Sequence, residues 1–175
     1  MNDDAVGRDA PLDPAAGLTH FDASGKAVMV DVSGKAVTER IAVAEGEIRV
    51  GETVFRAIAA GTAAKGDVLG TARLAGIMAV KRTAELIPLC HPLPVSHCSI
   101  EFALDAAAAA VRVLCRVRTA GRTGVEMEAL TGATIALLTV YDMTKAMGKG
   151  MEISRVRLLE KSGGASGEYR LETED

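Results

Sequence analysis

The sequence predicts an α+β sandwich in which helices pack on one face of an antiparallel sheet. Four segments alternate apolar and polar residues, which is typical of half-buried strands, and three others place apolar residues at helical spacing. Their order along the 175 residues is β-α-α-β-β-α-β. Two of the strand segments are joined by a short connection, which favours antiparallel pairing with one face open to water. This order of elements predicts a ferredoxin-like fold.

The first half of the chain supplies one predicted strand and two predicted helices. Residues 27–34 carry a valine at alternate positions, as in a strand. A short helix is predicted within residues 45–61, where Gly61 ends it, and a longer helix over residues 65–88. Pro88 ends the longer helix because proline lacks the amide hydrogen that the helix needs.

The middle of the chain supplies two strands that we expect to pair. In residues 97–104 and 111–118 every second residue is apolar, and the second segment places three arginines on its opposite side. The alanine-rich connection between them is weakly specified. An antiparallel pair with one solvated face is therefore predicted.

The last third of the chain supplies the longest helix and the final strand. A helical pattern covers residues 123–150, and Thr123 followed by Glu126 has the spacing of a capping box. Residues 151–160 alternate as in a strand, but the phase changes near Ser154. Such a change predicts a β-bulge.

Charge is distributed unevenly around a single predicted domain. Residues 1–17 are predicted to be a mobile N-terminal arm, residues 18–167 one catalytic domain, and residues 168–175 an acidic tail. The overall net charge is −3, yet residues 1–22 alone carry −4 and the tail carries −3, so the body is mildly basic. This balance fits a small anionic ligand better than a nucleic-acid duplex, which needs a concentrated basic stripe.

Composition excludes several classes of protein. No apolar run reaches about 18 residues, so we expect no membrane span. The acidic start lacks the pattern of a signal peptide, so a cytoplasmic location is expected. Aromatic residues are only 3%, too few for a platform on which single-stranded nucleic acid stacks. The three cysteines, Cys90, Cys98 and Cys115, do not form a disulfide framework.

Two pairs of residues have the chemistry to handle phosphate and protons. Lys65 precedes Gly66 at the start of a predicted helix, where it is either a phosphate ligand or a solvated surface lysine. Asp142 and Lys145 are three residues apart and therefore share one face of a helix. They form either an acid–base pair or an exposed salt bridge.

Two further stretches contain candidate site residues. His91 follows Cys90 in a proline-flanked loop, where its imidazole either serves a ligand or is satisfied within a packed turn. A zinc site formed by these two residues with His97 and Cys98 is disfavoured, because adjacent Cys-His pairs do not easily converge on one tetrahedral ion. Glu126 can be explained as the capping-box partner of Thr123, and Met127 as a residue packed in the core. No such structural role explains the presence of Glu128, which makes it a candidate site residue.

Five segments together resemble the cyclic pyranopterin monophosphate synthase family of molybdenum cofactor biosynthesis. The segments are LTHFDASGKAVMVDVSGK (18–35), AAKGDVLGTARLAGIMAVKRTAELIPLCHPL (63–93), GVEMEALTG (124–132), YDMTKAM (141–147) and VRLLEKSGG (156–164). The strings LIPLCHPL and GVEMEALTG are the most specific. Ala165 departs from the pattern, since a lysine is common there.

The resemblance implies a lyase that converts a cyclised dihydro-GTP triphosphate to cyclic pyranopterin monophosphate and releases pyrophosphate. It also implies a homohexamer, built as a trimer of dimers, with each active site between subunits. By resemblance Asp142 is the general acid/base, and Lys145 and Lys65 are catalytic and neutralise phosphate. The same resemblance gives the substrate pocket as Leu89, Cys90, His91, Met127 and Glu128, with Lys81 and Arg40 as weaker contacts to anionic groups. No metal site is expected, although Mg²⁺ can arrive bound to the triphosphate.

The spacing of Glu128 and Asp142 bears on how one active site can contain both. Fourteen residues of straight helix separate them by about 21 Å, too far for one small pocket. Either the helix breaks or the two residues come from different chains, and we predict the second. A non-catalytic nucleotide-sensing module and a zinc-binding structural protein are the alternatives to a lyase.

Overall fold

The computed structural model describes residues 26–165 and 167–172 of the chain. The predicted N-terminal arm and the last three residues of the predicted tail lie outside the described residues. The described part contains a five-stranded sheet and four helices. The strands are β1 (Thr38–Arg49), β2 (Val95–Asp105), β3 (Ala110–Gly121), β4 (Glu152–Ser162) and β5 (Tyr169–Arg170). The helices are α1 (Glu52–Ala59), α2 (Val68–Val80), α3 (Thr83–Leu86) and α4 (Glu126–Thr144).

The sheet has the strand order β2-β3-β1-β4-β5, and every neighbouring pair is antiparallel. The predicted α+β class is confirmed, and the first four strands have the order expected of a ferredoxin-like fold. The helices α2 and α4 cross closely because both carry a glycine at the contact. A Cβ atom on Gly76 would lie 2.8 Å from the carbonyl oxygen of Gly132. This contact positions α4 against α2, and the two ends of α4 carry the site described below.

The predicted first strand is wrong. Residues 27–34 contain only an isolated bridge at Ala27, and the first strand of the sheet is β1. The strand β1 buries residues on both faces, so its burial does not alternate as that of β3 does. Val43 is only 2% exposed on the face away from the helices, and Glu47, four residues further along the same face, is also buried, with Arg112 at 3.1 Å.

Both predicted helices of the first half are shorter than expected. The window of residues 45–61 begins inside β1, and only α1 is helical. The predicted helix over residues 65–88 is broken, because α2 ends at Val80 and the short α3 follows. The buried Thr83 begins α3, and its hydroxyl donates back to the end of α2, where the carbonyl oxygens of Ala79 and Val80 lie 3.3 and 3.2 Å away.

The second half of the chain agrees better with its pattern. The strands β2 and β3 pair antiparallel as predicted, and the predicted bulge in β4 is confirmed by a register shift and by Arg155, whose φ is 53°. The predicted helix over residues 123–150 is reduced to α4. Its predicted capping box is wrong, because Val125 is the N-cap and no side chain caps the helix. The Glu126 carboxylate lies 3.4 Å from the amine of Lys161 instead.

No helix within residues 26–165 and 167–172 is both long enough and apolar enough to cross a membrane. The longest, α4, has 19 residues and carries acidic side chains near both ends.

Candidate active site

Two lysines from different parts of the chain hold the carboxylate of Asp142. The Lys145 amine lies 2.6 Å from Asp142 Oδ1, as expected for residues three apart near a helix end. The Lys65 amine comes from the loop before α2 and lies 3.3 Å from Oδ2 and 2.9 Å from the Asp142 carbonyl oxygen. We call these three residues the lysine–aspartate cluster. All three side chains are about half exposed, so a ligand can reach them.

The charges of the lysine–aspartate cluster stabilise one another. Hydrogen bonding with Lys145, and then with Lys65, lowers the pKa of Asp142 below its usual value. Hydrogen bonding with the carboxylate raises the pKa of Lys145. At neutral pH the cluster therefore presents an ionised carboxylate, which can accept a proton, beside two ammonium groups.

The loop that carries Lys65 is shaped by its neighbours. Gly66 has a φ of 88°, which favours glycine, and its amide donates to the Ala63 carbonyl at 2.9 Å. Asp67 then caps α2, because its carboxylate accepts from the Gly70 amide at 2.8 Å. The prediction that Lys65 lies at the start of a helix is confirmed, and this turn directs it toward the end of α4.

The other end of α4 borders a cavity of about 280 Å³, which we call the Cys90–His91 pocket. Five predicted substrate contacts line it, and the structure therefore brings them together. The predicted residues are Leu89, Cys90, His91, Met127 and Glu128, and the remaining lining residues are Val30, Val32, Lys35, Leu93, Thr123, Gly124 and Glu126.

The titratable groups of the Cys90–His91 pocket have different surroundings from those of the lysine–aspartate cluster. The Nε2 atom of His91 lies 2.8 Å from the Val30 carbonyl oxygen, so Nε2 carries the hydrogen and the neutral ring keeps its lone pair on Nδ1. Glu128 is only 4% exposed, and burial raises its pKa. Burial, and then the charge of Glu128, raises the pKa of Cys90. The two ends of α4 thus carry carboxyl groups whose pKa values are shifted in opposite directions, that of Glu128 upward and that of Asp142 downward.

A second cavity of about 560 Å³ adjoins the first, since both are lined by Lys35, Thr123, Gly124 and Glu126. We call it the arginine cavity. Arg40, which is 8% exposed, lies on its wall and donates to the Gly163 carbonyl at 3.2 Å. Its Nε and the hydroxyl of Thr38 are buried with no hydrogen-bond partner among the described residues. Buried polar atoms without partners are rare, so the arginine cavity is suited to a polar, anionic group.

Sequence reasoning missed part of the arginine cavity. Thr38, Lys35 and Arg122 line it, and none was among the predicted site residues. Recognition of β1 as a strand would have placed Thr38 and Arg40 on one face, because residues two apart share a face. Lys81 lines neither cavity and lies at the end of α2, near Cys98. Its role toward an anionic group stays a prediction.

Within the described residues, no three His, Cys, Asp or Glu side chains are grouped as ligands of a metal ion. His97 and Cys98 lie on β2, and neither lines the Cys90–His91 pocket.

The helix α4 runs from residue 126 to residue 144 with no gap in its helical assignment. Of the two explanations offered above for the spacing of Glu128 and Asp142, a broken helix is therefore excluded. The Cys90–His91 pocket and the lysine–aspartate cluster of one chain are about 21 Å apart along α4.

An ion-paired carboxylate beside two adjoining cavities, one of them lined by Lys35, Arg40 and Arg122, has the chemistry of an enzyme site for a small molecule. The sequence profile of the MoaC family matches residues 29–164, and the chain belongs to that family. Three relatives named cyclic pyranopterin monophosphate synthase show the extent of the similarity. The protein of Methylobacterium sp. (strain 4-46) is 60% identical over 154 residues, which cover 88% of this chain and 96% of that protein. The proteins of Cereibacter sphaeroides (strain KD131) and Clostridium botulinum (strain Alaska E43) are each 57% identical, over 88% and 87% of this chain and 97% and 96% of their own lengths.

Proposed function

We propose that the protein is a cyclic pyranopterin monophosphate synthase, a lyase of molybdenum cofactor biosynthesis. Its substrate is the cyclised dihydro-GTP triphosphate, and its products are cyclic pyranopterin monophosphate and pyrophosphate. The observation that carries this proposal is the lysine–aspartate cluster, in which Asp142 lies within 3.3 Å of amines from two separate segments. Family membership supplies the reaction, and the cluster supplies groups able to perform it.

The lysine–aspartate cluster suits the proton transfers of this reaction. Rearrangement of a purine-derived ring requires protons to leave and to arrive at ring atoms. Asp142 is ionised and accepts a proton, while Lys145 and Lys65 donate one or neutralise the developing charge. Departure of pyrophosphate places negative charge on oxygen, which fixed ammonium groups stabilise.

The two adjoining cavities suit the two halves of the substrate. The Cys90–His91 pocket presents an imidazole, a thiol and a buried carboxyl, which can hydrogen-bond the ring. The arginine cavity presents the charges of Lys35, Arg40 and Arg122, which suit a phosphate chain. Mg²⁺ bound to the triphosphate would enter with the substrate, and we propose no resident cofactor.

Each complete site is proposed to lie between two chains of a homohexamer built as a trimer of dimers. The length of α4 supports this arrangement, because the ends of two antiparallel copies can meet where the ends of one cannot. Exposed apolar side chains on the helices also support self-association. These are Leu74, Met78, Leu86 and Leu138, between 46% and 61% exposed. Sedimentation velocity should give a hexamer, and an active monomer at the same concentration would contradict the proposal.

A cytoplasmic location is part of the proposal, since the substrate derives from GTP. Three free cysteines, Cys90, Cys98 and Cys115, are compatible with a reducing compartment.

The reaction is tested by supplying the triphosphate made by the preceding radical enzyme. We expect the tricyclic pterin by mass spectrometry and pyrophosphate in equal amount. An Asp142→Asn variant, treated identically, should give neither. Substrate binding without any product would contradict the lyase and support a nucleotide-sensing module instead.

A further inference from the structure

Two cysteines lie side by side on neighbouring strands of the sheet. Cys98 of β2 is opposite Val117 of β3, and Cys115 is opposite Ile100. The two cysteines are therefore diagonal neighbours, and both belong to the face that packs on the helices. Neither takes part in the cavities described above.

The two thiols have different surroundings. Cys98 is partly exposed, whereas Cys115 is fully buried against α4, where a Cβ atom on Gly132 would lie 2.7 Å from its sulfur. Hydrogen bonding with Cys115 lowers the pKa of Cys98, the charge of Lys81 lowers it further, and burial opposes both. The same hydrogen bond raises the pKa of Cys115. An accessible thiol that ionises readily, with a protonated thiol behind it, is the arrangement of a redox-reactive pair.

We propose that Cys98 and Cys115 form a reversible disulfide when the protein meets a peroxide. The Cys98 thiolate attacks one peroxide oxygen, the O–O bond breaks, and a sulfenic acid and one water form. The Cys115 sulfur then attacks the Cys98 sulfur, and the S–O bond breaks as a second water leaves. Two thiols lose two electrons and two protons, and hydrogen peroxide is reduced to two waters.

The position of β2 in the sheet allows the disulfide between Cys98 and Cys115 to form. Diagonal Cα atoms are about 7–8 Å apart, beyond the range of about 4.4–6.8 Å that a disulfide spans. Because paired strands are already in contact, β2 must slide along β3 to bring the two sulfurs together. As an edge strand of the described sheet, β2 breaks hydrogen bonds with β3 alone when it shifts. A register irregularity between Val95 and His97 already loosens the pairing just before Cys98. Cys115, held in the core, stays in place.

The test uses a Cys90→Ser background, so that only the two proposed partners remain. Purified full-length protein is treated with equimolar hydrogen peroxide, alkylated and mapped by mass spectrometry without reduction. We expect both thiols to become unreactive, a peptide pair joined through Cys98 and Cys115 with two hydrogens lost, and full recovery with dithiothreitol. This proposal is independent of the reaction proposed above, and its test needs no substrate.

Single variants separate the two thiols in the same background. In Cys115→Ser, a Cys98 sulfenic acid should accumulate and be trapped by dimedone; in Cys98→Ser, Cys115 should stay reduced. If Cys115→Ser fails to fold by circular dichroism, Cys115→Ala replaces it. The proposal is overturned if both thiols remain free in the parent. It is also overturned if Cys98 proceeds to sulfinic acid equally fast with and without Cys115.

Discussion

The substitution Asp142→Asn tests most directly whether the lysine–aspartate cluster takes part in catalysis. The side chain keeps its size, but it loses the charge that faces the amines of Lys145 at 2.6 Å and Lys65 at 3.3 Å. An amide has one oxygen in place of two, and its nitrogen donates hydrogen bonds, as the ammonium groups do. The variant therefore cannot accept a proton, and the side chain keeps one acceptor oxygen for two amines, although Lys65 retains its bond to the residue 142 carbonyl.

The structure separates the expected effect on catalysis from the effect on stability. Asp142 is 57% exposed, so its ion pairs are screened by water, and loss of the charge should shift the melting temperature by no more than about 4 °C. Loss of a positioned general acid or base lowers turnover by about 10²–10⁴-fold. We thus expect a folded, correctly assembled protein with almost no turnover.

The assay is the initial rate of pyrophosphate release at saturating substrate. Glu52→Gln is the matched control, because it breaks a surface ion pair with Arg56 at 3.2 Å, on α1 and away from both cavities. Its turnover should equal that of the parent. If Asp142→Asn retained more than about a tenth of the turnover, Asp142 would have no acid–base role.

Three further predictions concern the core, the buried carboxyl and the arginine cavity. Leu137→Ala, at a fully buried position, should lower the free energy of unfolding by about 3–5 kcal/mol in urea denaturation, and a loss below about 1 kcal/mol would contradict the packing. Burial raises the pKa of Glu128 above its usual 4.5. The folded parent therefore prefers the protonated carboxyl, and its stability relative to Glu128→Gln should fall as the pH rises above 4.5. Urea midpoints of both proteins, measured across pH, would show this loss. Gly164→Ala places a Cβ atom against the guanidinium of Arg40 and should raise KM about 10-fold, whereas an unchanged KM would remove Arg40 from the site.

Strands with one buried face were predicted from the sequence, whereas the strand that is buried on both faces was missed. The strands β2 and β3 were found because one face of each meets water, so apolar and polar residues alternate. The central β1 was missed because Val43 and Glu47 are buried on its second face, and pairing with β3 and β4, not local pattern, makes it a strand. The opposite error occurred at residues 27–34, which form only an isolated bridge at Ala27 within the described part of the chain, and the Val30 carbonyl accepts from His91.

For the site as well, contacts between residues close in sequence could be predicted, whereas contacts between distant segments could not. The pair of Asp142 and Lys145 follows from helical spacing, which sequence shows directly. The approach of Lys65, 77 residues from Asp142, depends on how α2 packs on α4, and spacing carries no information about it. The burial of Arg40 Nε, which has no hydrogen-bond partner in the described part of the chain, depends on tertiary packing that places Gly163 within 3.2 Å of the guanidinium.

The central claim is that each active site combines the Cys90–His91 pocket of one chain with the lysine–aspartate cluster of another. Co-expression of Glu128→Gln with Asp142→Asn tests it directly, because we expect each substitution alone to remove turnover, the first in the Cys90–His91 pocket and the second in the lysine–aspartate cluster. In a mixed dimer one site receives both substitutions and the other receives none. Random pairing should therefore restore about a quarter of the parent turnover. If each site lay within a single chain, every site would carry one substitution, and turnover no higher than the sum of the separate variants would contradict the account.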